Sequence, residues 1–232
     1  MWSVTTLLCV AGTVFVYAVV RRLYLRYKHP LINVVGLSAA VVISALLLLD
    51  VPYAAYEPAR KIMTALIGAA TVSLALPLYR YRKLLLRHAV AIIVSVSAGA
   101  FVAMFSAGLI AQSGGLPREV VMSILSKGVS IPFAVEVAKI YDGIPSLAAA
   151  FVVATGTLGS LLGVWTLNLV RVNSPFARGL TLGTISHAQG TAAALQEGEE
   201  AGAMAGLAMI LAGILTAAFA PPVVWLLSLL PA

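Results

Sequence analysis

Long apolar runs separated by short polar breaks set the pattern of this chain. Runs at 3–20, 31–49, 88–111, 144–169 and 200–228 approach or exceed the roughly 20 residues a helix needs to cross a bilayer. Two further stretches, 62–82 and 177–197, are apolar but interrupted, at "ALPLY" (75–79) and at "SHAQG" (186–190). A last one, 118–140, is amphiphilic and breaks at "SKGVSIP" (126–132). Its halves, 118–126 and 133–140, are each too short to cross. They predict a re-entrant hairpin, which is tolerated at depth where protein or a cavity covers the open backbone. The expected fold is an all-α polytopic membrane protein with about seven spans and one re-entrant hairpin.

Charge placement orients these elements. Basic residues cluster in "RRLYLRYKH" (21–29) and "RYRKLLLRH" (80–88). The positive-inside rule puts both clusters in the cytoplasm, with the N-terminus outside. With 118–140 as a hairpin, Arg171 and Arg178 also fall inside, and 177–197 and 200–228 then bring the C-terminus inside. The triplet 31–49, 62–82, 88–111 is thereby inverted relative to 144–169, 177–197, 200–228. "LSAAVVISALLL" (37–48) lies over "LAAAFVVATGTL" (147–158) at an offset of about 110. This predicts two inverted repeats, 1–112 and 113–232, within one membrane domain. Paired broken segments in two halves point to a transporter site.

Composition supports the membrane reading. The chain is 61% hydrophobic and 10% charged, with a mean hydropathy of +1.03, where soluble domains carry about 25% charged residues. The alternating ten-residue segments of a β-barrel are not seen. The net charge of +7 sits in the two loops, so it reads as an orientation signal rather than a nucleic-acid surface. Cys9 is the single cysteine, which leaves no intrachain disulfide and no cysteine metal cluster. The first apolar run has its basic residues after it, the reverse of a secretory signal peptide, and reads as a retained span.

Candidate chemistry gathers at the breaks. An interrupted membrane helix leaves amides and carbonyls unpaired. Beyond Gly190, the run from Thr191 starts a half-helix whose amides and positive dipole end suit an anion. Thr184, Ser186, His187, Gln189 and Thr191 add side-chain hydrogen bonds. Pro77 breaks the matching segment, with Thr71 and Ser73 nearby. His187 is a candidate for site lining and proton coupling, or a buried interhelical tie. Gln189 equally suits interhelical hydrogen bonding. Lys127 at the hairpin tip supplies positive charge or snorkels to the interface, and Ser130 is a further polar contact there. Glu136 is a second proton-coupling candidate, or a surface partner of Lys139 at i,i+3. The glutamates at 197–200 read as the wet end of a helix. The Gly- and Ala-rich run 201–217 reads as close-packing scaffold. No enzyme motif is found, and the three histidines (29, 88, 187) are far apart. No enzyme activity, metal or cofactor is therefore expected.

"SKGVSIPFAVEVAKIYDGIPSLAAAFVVATGTLGSLLG" followed by "ARGLTLGTISHAQGTAAALQEGEEAGAMAGLAMILAGILTAAFAPP" resembles the LrgB/CidB family of bacterial membrane proteins. "HPLINVVGLSAAVVI" and "ALIGAATVSLALPLYR" fit its N-terminal half, and the "ARGLxLGTxSHxxGTxxA" pattern is specific. Where the family usually has Pro-Lys-Ser-Val-Thr-Thr-Pro, this chain reads Ser126 to Pro132, and Gly128 and Ile131 each remove a hydroxyl. The resemblance implies a multi-pass bacterial cytoplasmic-membrane protein, related to cation/proton antiporters and bile-acid symporters with inverted repeats and broken helices. It implies two functions. One is antiholin-like control of murein hydrolase activity and lysis with a small holin-like LrgA/CidA partner. The other is movement of small monocarboxylates such as pyruvate, glycolate, glycerate or lactate. Self-association into a homo-oligomer stays open. The expected mechanism is alternating access, with the carboxylate bound where 62–82 and 177–197 meet.

Overall fold

The computed structural model describes residues 4–27, 34–73 and 75–230, all of them helix, turn or short link. Side chains at 35, 67–71, 73, 75, 77 and 78 lie outside the described set. The chain forms two compact units, Met1–Ala75 and Leu76–Ala232. The repeat boundary expected at 112/113 falls inside the second.

In the first unit, α1 (Val4–Tyr27) is long and apolar enough to cross a membrane. It packs on α2 (Val34–Leu48) and α3 (Tyr53–Ser73). A hydroxyl pair, Thr13 Oγ1 and Tyr56 Oη at 3.0 Å, ties α1 to α3. Asp50 turns the chain between α2 and α3 with φ 49°, a left-handed conformation that Asp adopts more readily than most residues. The polar start of α3 is a surface stretch in which Glu57 pairs with Arg60 and Lys61. The interrupted span expected at 62–82 is thus split. Its first part belongs to a helix that begins at Tyr53, and its end to two short helices, α4 (Ala75–Arg80) and α5 (Arg82–Arg87).

The second unit is built on three long apolar helices, α6 (Ala89–Ser113), α9 (Pro145–Leu169) and α11 (Glu199–Ser228). Between them lie α7 (Arg118–Ile124), α8 (Ile131–Ile140) and α10 (Pro175–Glu197). α6 and α11 run parallel. Ile92 and Val96 pack with Met204 and Ala208 at one end, and Met104 and Ala111 with Val223 and Leu227 at the other. Gln112 Nε2 closes the second end by donating to the carbonyls of Leu227 and Leu230. α9 runs the opposite way, from the end near Ser123 to the end near Ala201.

Two segments double back. Over 118–140 the helix stops after Ile124, runs through turns to an extended Ser130, and restarts with Pro132 in its first turn. The return brings Ile144 back to Ser123, whose Oγ accepts its amide at 2.7 Å. α10 is continuous in sequence but breaks at His187 (φ 42°, ψ −125°). Arg178 and Glu197, which an unbroken helix would hold about 28 Å apart, are paired at 2.6 Å. A Cβ at Gly190 would collide with the Leu182 carbonyl oxygen. α10 is therefore two antiparallel arms, 175–186 and 188–197. Each arm reaches about 16 Å, half of a hydrocarbon core about 30 Å thick.

This overturns the expectation that 177–197 crosses. With α10 returning to its own side, the C-terminal end of α11 lies at the opposite end of the unit from Arg80, which pairs with Glu199 at 2.7 Å. Charge placement alone predicts both on one side. The second unit is a sequence of long helix, hairpin, long helix, hairpin, long helix. The 25-residue α6 and the 25-residue α9 are each followed by a hairpin, and the two pairs point in opposite directions.

Candidate functional site at the meeting of two hairpin tips

The hairpins enter from opposite ends and their tips come close together. A Cβ at Gly128 would lie 3.9 Å from the Thr184 carbonyl oxygen. Val129 at the first tip packs with Ala148 and Val152 of α9. His187 at the second tip sets its Nε2 3.0 Å from the Val152 carbonyl oxygen. Carbonyls only accept, so that nitrogen carries the proton and donates. The middle of α9 is thus the floor on which both tips rest.

Small residues make this approach possible. On α9, a Cβ at Gly159 would strike Ser186 Oγ, and one at Gly156 would meet the His187 ring and the Gln189 side chain. On α10, Gly179 and Gly183 lie against the backbones of Ala201 and Ala205 in α11. Spacing four residues apart puts small residues on one helix face, which lets two backbones close up in a membrane. These α9 glycines escaped the sequence reading. Their signal was the spacing in "GTLGSLLG", which any close-packed membrane helix also shows.

Most of the predicted residues of the second break converge here. Thr184, Ser186, His187, Gly190 and Thr191 are buried. Thr184 Oγ1 donates to the Leu180 carbonyl at 2.7 Å. Thr191 Oγ1 donates to that of His187 at 2.9 Å, and so steadies the backbone at the break. Ser186 Oγ and Gln189 Oε1 are buried with no protein partner. Leaving a buried polar atom unpaired costs about 1–3 kcal/mol, so these two are the unexplained atoms of the interior.

Lys127 and Ser130 stand half-buried at the first tip. Ser130 precedes α8 without a side-chain cap bond. Among the described residues, no carboxylate lies within ion-pair distance of Lys127. Glu136 is not brought to the junction: it is exposed and pairs with Lys139 at 2.7 Å. The side chains of Thr71, Ser73 and Pro77 lie outside the described residues, and Thr71 and Ser73 belong to the first unit. Among the described residues of the second unit, the 126–130 turn approaches the 177–197 break.

The acidic stretch does more than end a helix in water. Arg178 donates twice to Glu197, at 2.6 Å each, and to the Val172 carbonyl at 2.9 Å. One guanidinium thus joins the α9–α10 link to both arms of the hairpin at its mouth.

These features define a multi-pass helical membrane protein whose hairpins meet in the interior. The LrgB-like family matches residues 13–226, and the chain belongs to it. It is 35% identical over 214 residues to "Uncharacterized protein YxaC" of Bacillus subtilis (strain 168), covering 92% of this chain and 93% of that one. It is 30% identical over 223 residues to "Holin-like protein CidB" of Staphylococcus aureus (strain Mu50 / ATCC 700699), covering 96% and 97%. No solved structure matches the chain.

Proposed function

We propose that this protein is a carrier, not an enzyme, that moves small monocarboxylates of the pyruvate, glycolate, glycerate or lactate type by alternating access. The observation that carries this reading is the close approach of the hairpin tips beside buried polar groups. Each hairpin leaves an arm that starts at the junction: α8 after Ser130, and the second arm of α10 after His187. Helix N-termini present free amides and a partial positive charge. Two of them aimed at one place favour a carboxylate, as broken helices do in transporters. Lys127 adds a full positive charge, and Ser130 and Thr191 add hydroxyls.

The same geometry supports alternating access. Each hairpin is anchored at its own end of the unit, so withdrawing one tip opens the junction to one side only. We read the α6 and α9 helix–hairpin pairs as an inverted repeat, which would give the two openings equivalent geometry. Uptake of labelled pyruvate, glycolate and lactate into proteoliposomes holding this chain alone tests the reading. Saturable uptake is expected, with the initial rate falling at least about tenfold in a Lys127→Ala, His187→Ala double variant. No saturable uptake by the wild type defeats the proposal.

A second reading is favoured by the name of the Staphylococcus aureus relatives, "Holin-like protein CidB". In it the chain regulates lysis with a small LrgA/CidA-type partner and carries no solute by itself. The liposome experiment separates the two, since it contains no partner.

Orientation is part of the proposal. Arg80, Arg82, Lys83, Arg87, Arg171 and Arg178 gather at one end of the second unit. The positive-inside rule makes that end cytoplasmic and sends the C-terminal end of α11 outside. In a Cys9→Ser background, Ser228→Cys is expected to react with a membrane-impermeant maleimide in intact cells, and Arg171→Cys only after permeabilisation. The reverse pattern would sink this orientation.

A further inference from the structure

We propose that the junction also binds a monovalent cation of the Na+ type on neutral oxygens, beside the carboxylate position. Among the described residues, the two buried side-chain atoms without partners are both oxygens, Ser186 Oγ and Gln189 Oε1. Four other buried hydroxyls near the two tips are spoken for: those of Thr184, Thr191, Ser123 and Ser126 all donate to carbonyls. Ser186 is fully buried at the end of the first arm of α10, where a helix turns its carbonyls and partial negative charge outward.

The two side chains pack on one stretch of α9. Ser186 Oγ lies over Gly159, and the Gln189 carboxamide carbon is 3.1 Å from a Cβ built at Gly156. Those glycines are three residues apart, about 4.5 Å along the helix. Acceptor oxygens at a helix C-terminal end repel an anion and attract a cation. The His187 Nε2 proton is already engaged with Val152, so it does not satisfy either oxygen.

The ligand class follows from the charge. No group of three or more His, Cys, Asp or Glu side chains is found among the described residues, and Glu136 is exposed and paired. Divalent cations are bound through carboxylates, which this site lacks. Neutral oxygens suit a cation of single charge, neutralised by the carboxylate held on the facing half-helix amides. In transporters, half-helix C-terminal ends and unwound carbonyls hold the coupling ion. The coupling of cation to substrate rests on the transport reading. The cation site itself does not.

The test is thermal unfolding of the purified full chain in detergent, in NaCl, KCl, LiCl or choline chloride at one ionic strength. NaCl is expected to raise the midpoint saturably over choline, as a ligand of the folded state does. Ser186→Ala removes an unpaired buried oxygen with little change of shape. It is expected to raise the midpoint in choline and to weaken the Na+ response at least tenfold. Gln189→Leu should lose the response as well, Gln189→Glu should keep it, and Ser228→Ala should leave it unchanged. Equal midpoints in all four salts overturn the site, as does an undiminished Na+ response in Ser186→Ala. Carboxylate uptake at full rate without Na+ overturns the coupling and leaves the carrier reading intact. Na+ stabilisation lost in Ser186→Ala, in a protein that takes up no carboxylate, supports the site and removes the carrier reading.

Discussion

Gly183→Val is expected to be the most damaging single change in the membrane interior. A Cβ there would run into the Ala205 carbonyl oxygen, with the Cα and carbonyl carbon of Ala205 also within 2.7 Å. The obstacle is backbone, so no rotamer change relieves it, and the first arm of α10 must move off α11. Overpacking a dense core costs about 1–3 kcal/mol, occasionally more, and a backbone collision belongs at the upper end. For a chain of this size each kcal/mol is worth about 2–4 °C, so the midpoint should fall by roughly 5–10 °C. Gly190→Val should do the same for a different reason. Its neighbour is Leu182 of the facing arm, so the hairpin itself would spread. Gly12→Val is the control, since nothing lies within 4 Å of a Cβ at Gly12. Thermal unfolding in one detergent checks all three, and a Gly183→Val midpoint matching that of Gly12→Val would mean that α10 does not pack on α11 this way.

The sequence showed that the 186–190 stretch had to be broken, but not which way the chain went afterwards. Twenty-three residues fit either a tilted crossing or a hairpin of two short arms, and both have the same apolar average. What separates them is the pairing of the ends. Arg178 and Glu197 look like the opposite wet ends of a span when read in one dimension, and they are neighbours in a hairpin. The Gly- and Ala-rich run 201–217 was legible as packing scaffold because its buried Ala and Gly positions recur on nearly every turn. The approach of the two tips was not legible. Pro77, whose ring disrupts helices, lies with its side chain outside the described residues, and among those described the turn that comes near Thr184 is 126–130. That turn was already expected to dip into the membrane. Only three dimensions show that the two dips face each other over the middle of α9.

The second large effect is expected at the mouth of the α10 hairpin. The side chains of Arg178 and Glu197 are only 11% and 22% exposed, and their two parallel hydrogen bonds form the bidentate geometry that makes guanidinium–carboxylate pairs strong. Hydrogen bonds to charged groups contribute about 1.5–3 kcal/mol, and leaving a partly buried charge without its partner adds to the loss. Arg178→Ala is therefore expected to lower the unfolding midpoint by roughly 4–8 °C. Glu197→Gln should do less, since an amide still accepts one of the bonds. The nearby Arg80–Glu199 pair is 59% and 47% exposed, and such surface pairs give about 0–1 kcal/mol, so Arg80→Ala should barely register. The exchange Arg178→Glu with Glu197→Arg should recover part of the loss, because the charges still meet even though the bond to the Val172 carbonyl is gone. A double-mutant cycle isolates the pair, and a coupling no larger than that of Arg80 with Glu199 would show that the arms are held by packing alone. The carrier reading adds a second consequence. If the tip must withdraw for the junction to open, a loosened mouth should raise the rate of opening while the chain remains folded. Arg178→Lys keeps the charge and gives up the bidentate geometry, so it should combine a small loss of stability with faster leak of preloaded carboxylate from proteoliposomes. Leak equal to that of the wild type in a folded Arg178→Lys protein would separate the ion pair from gating.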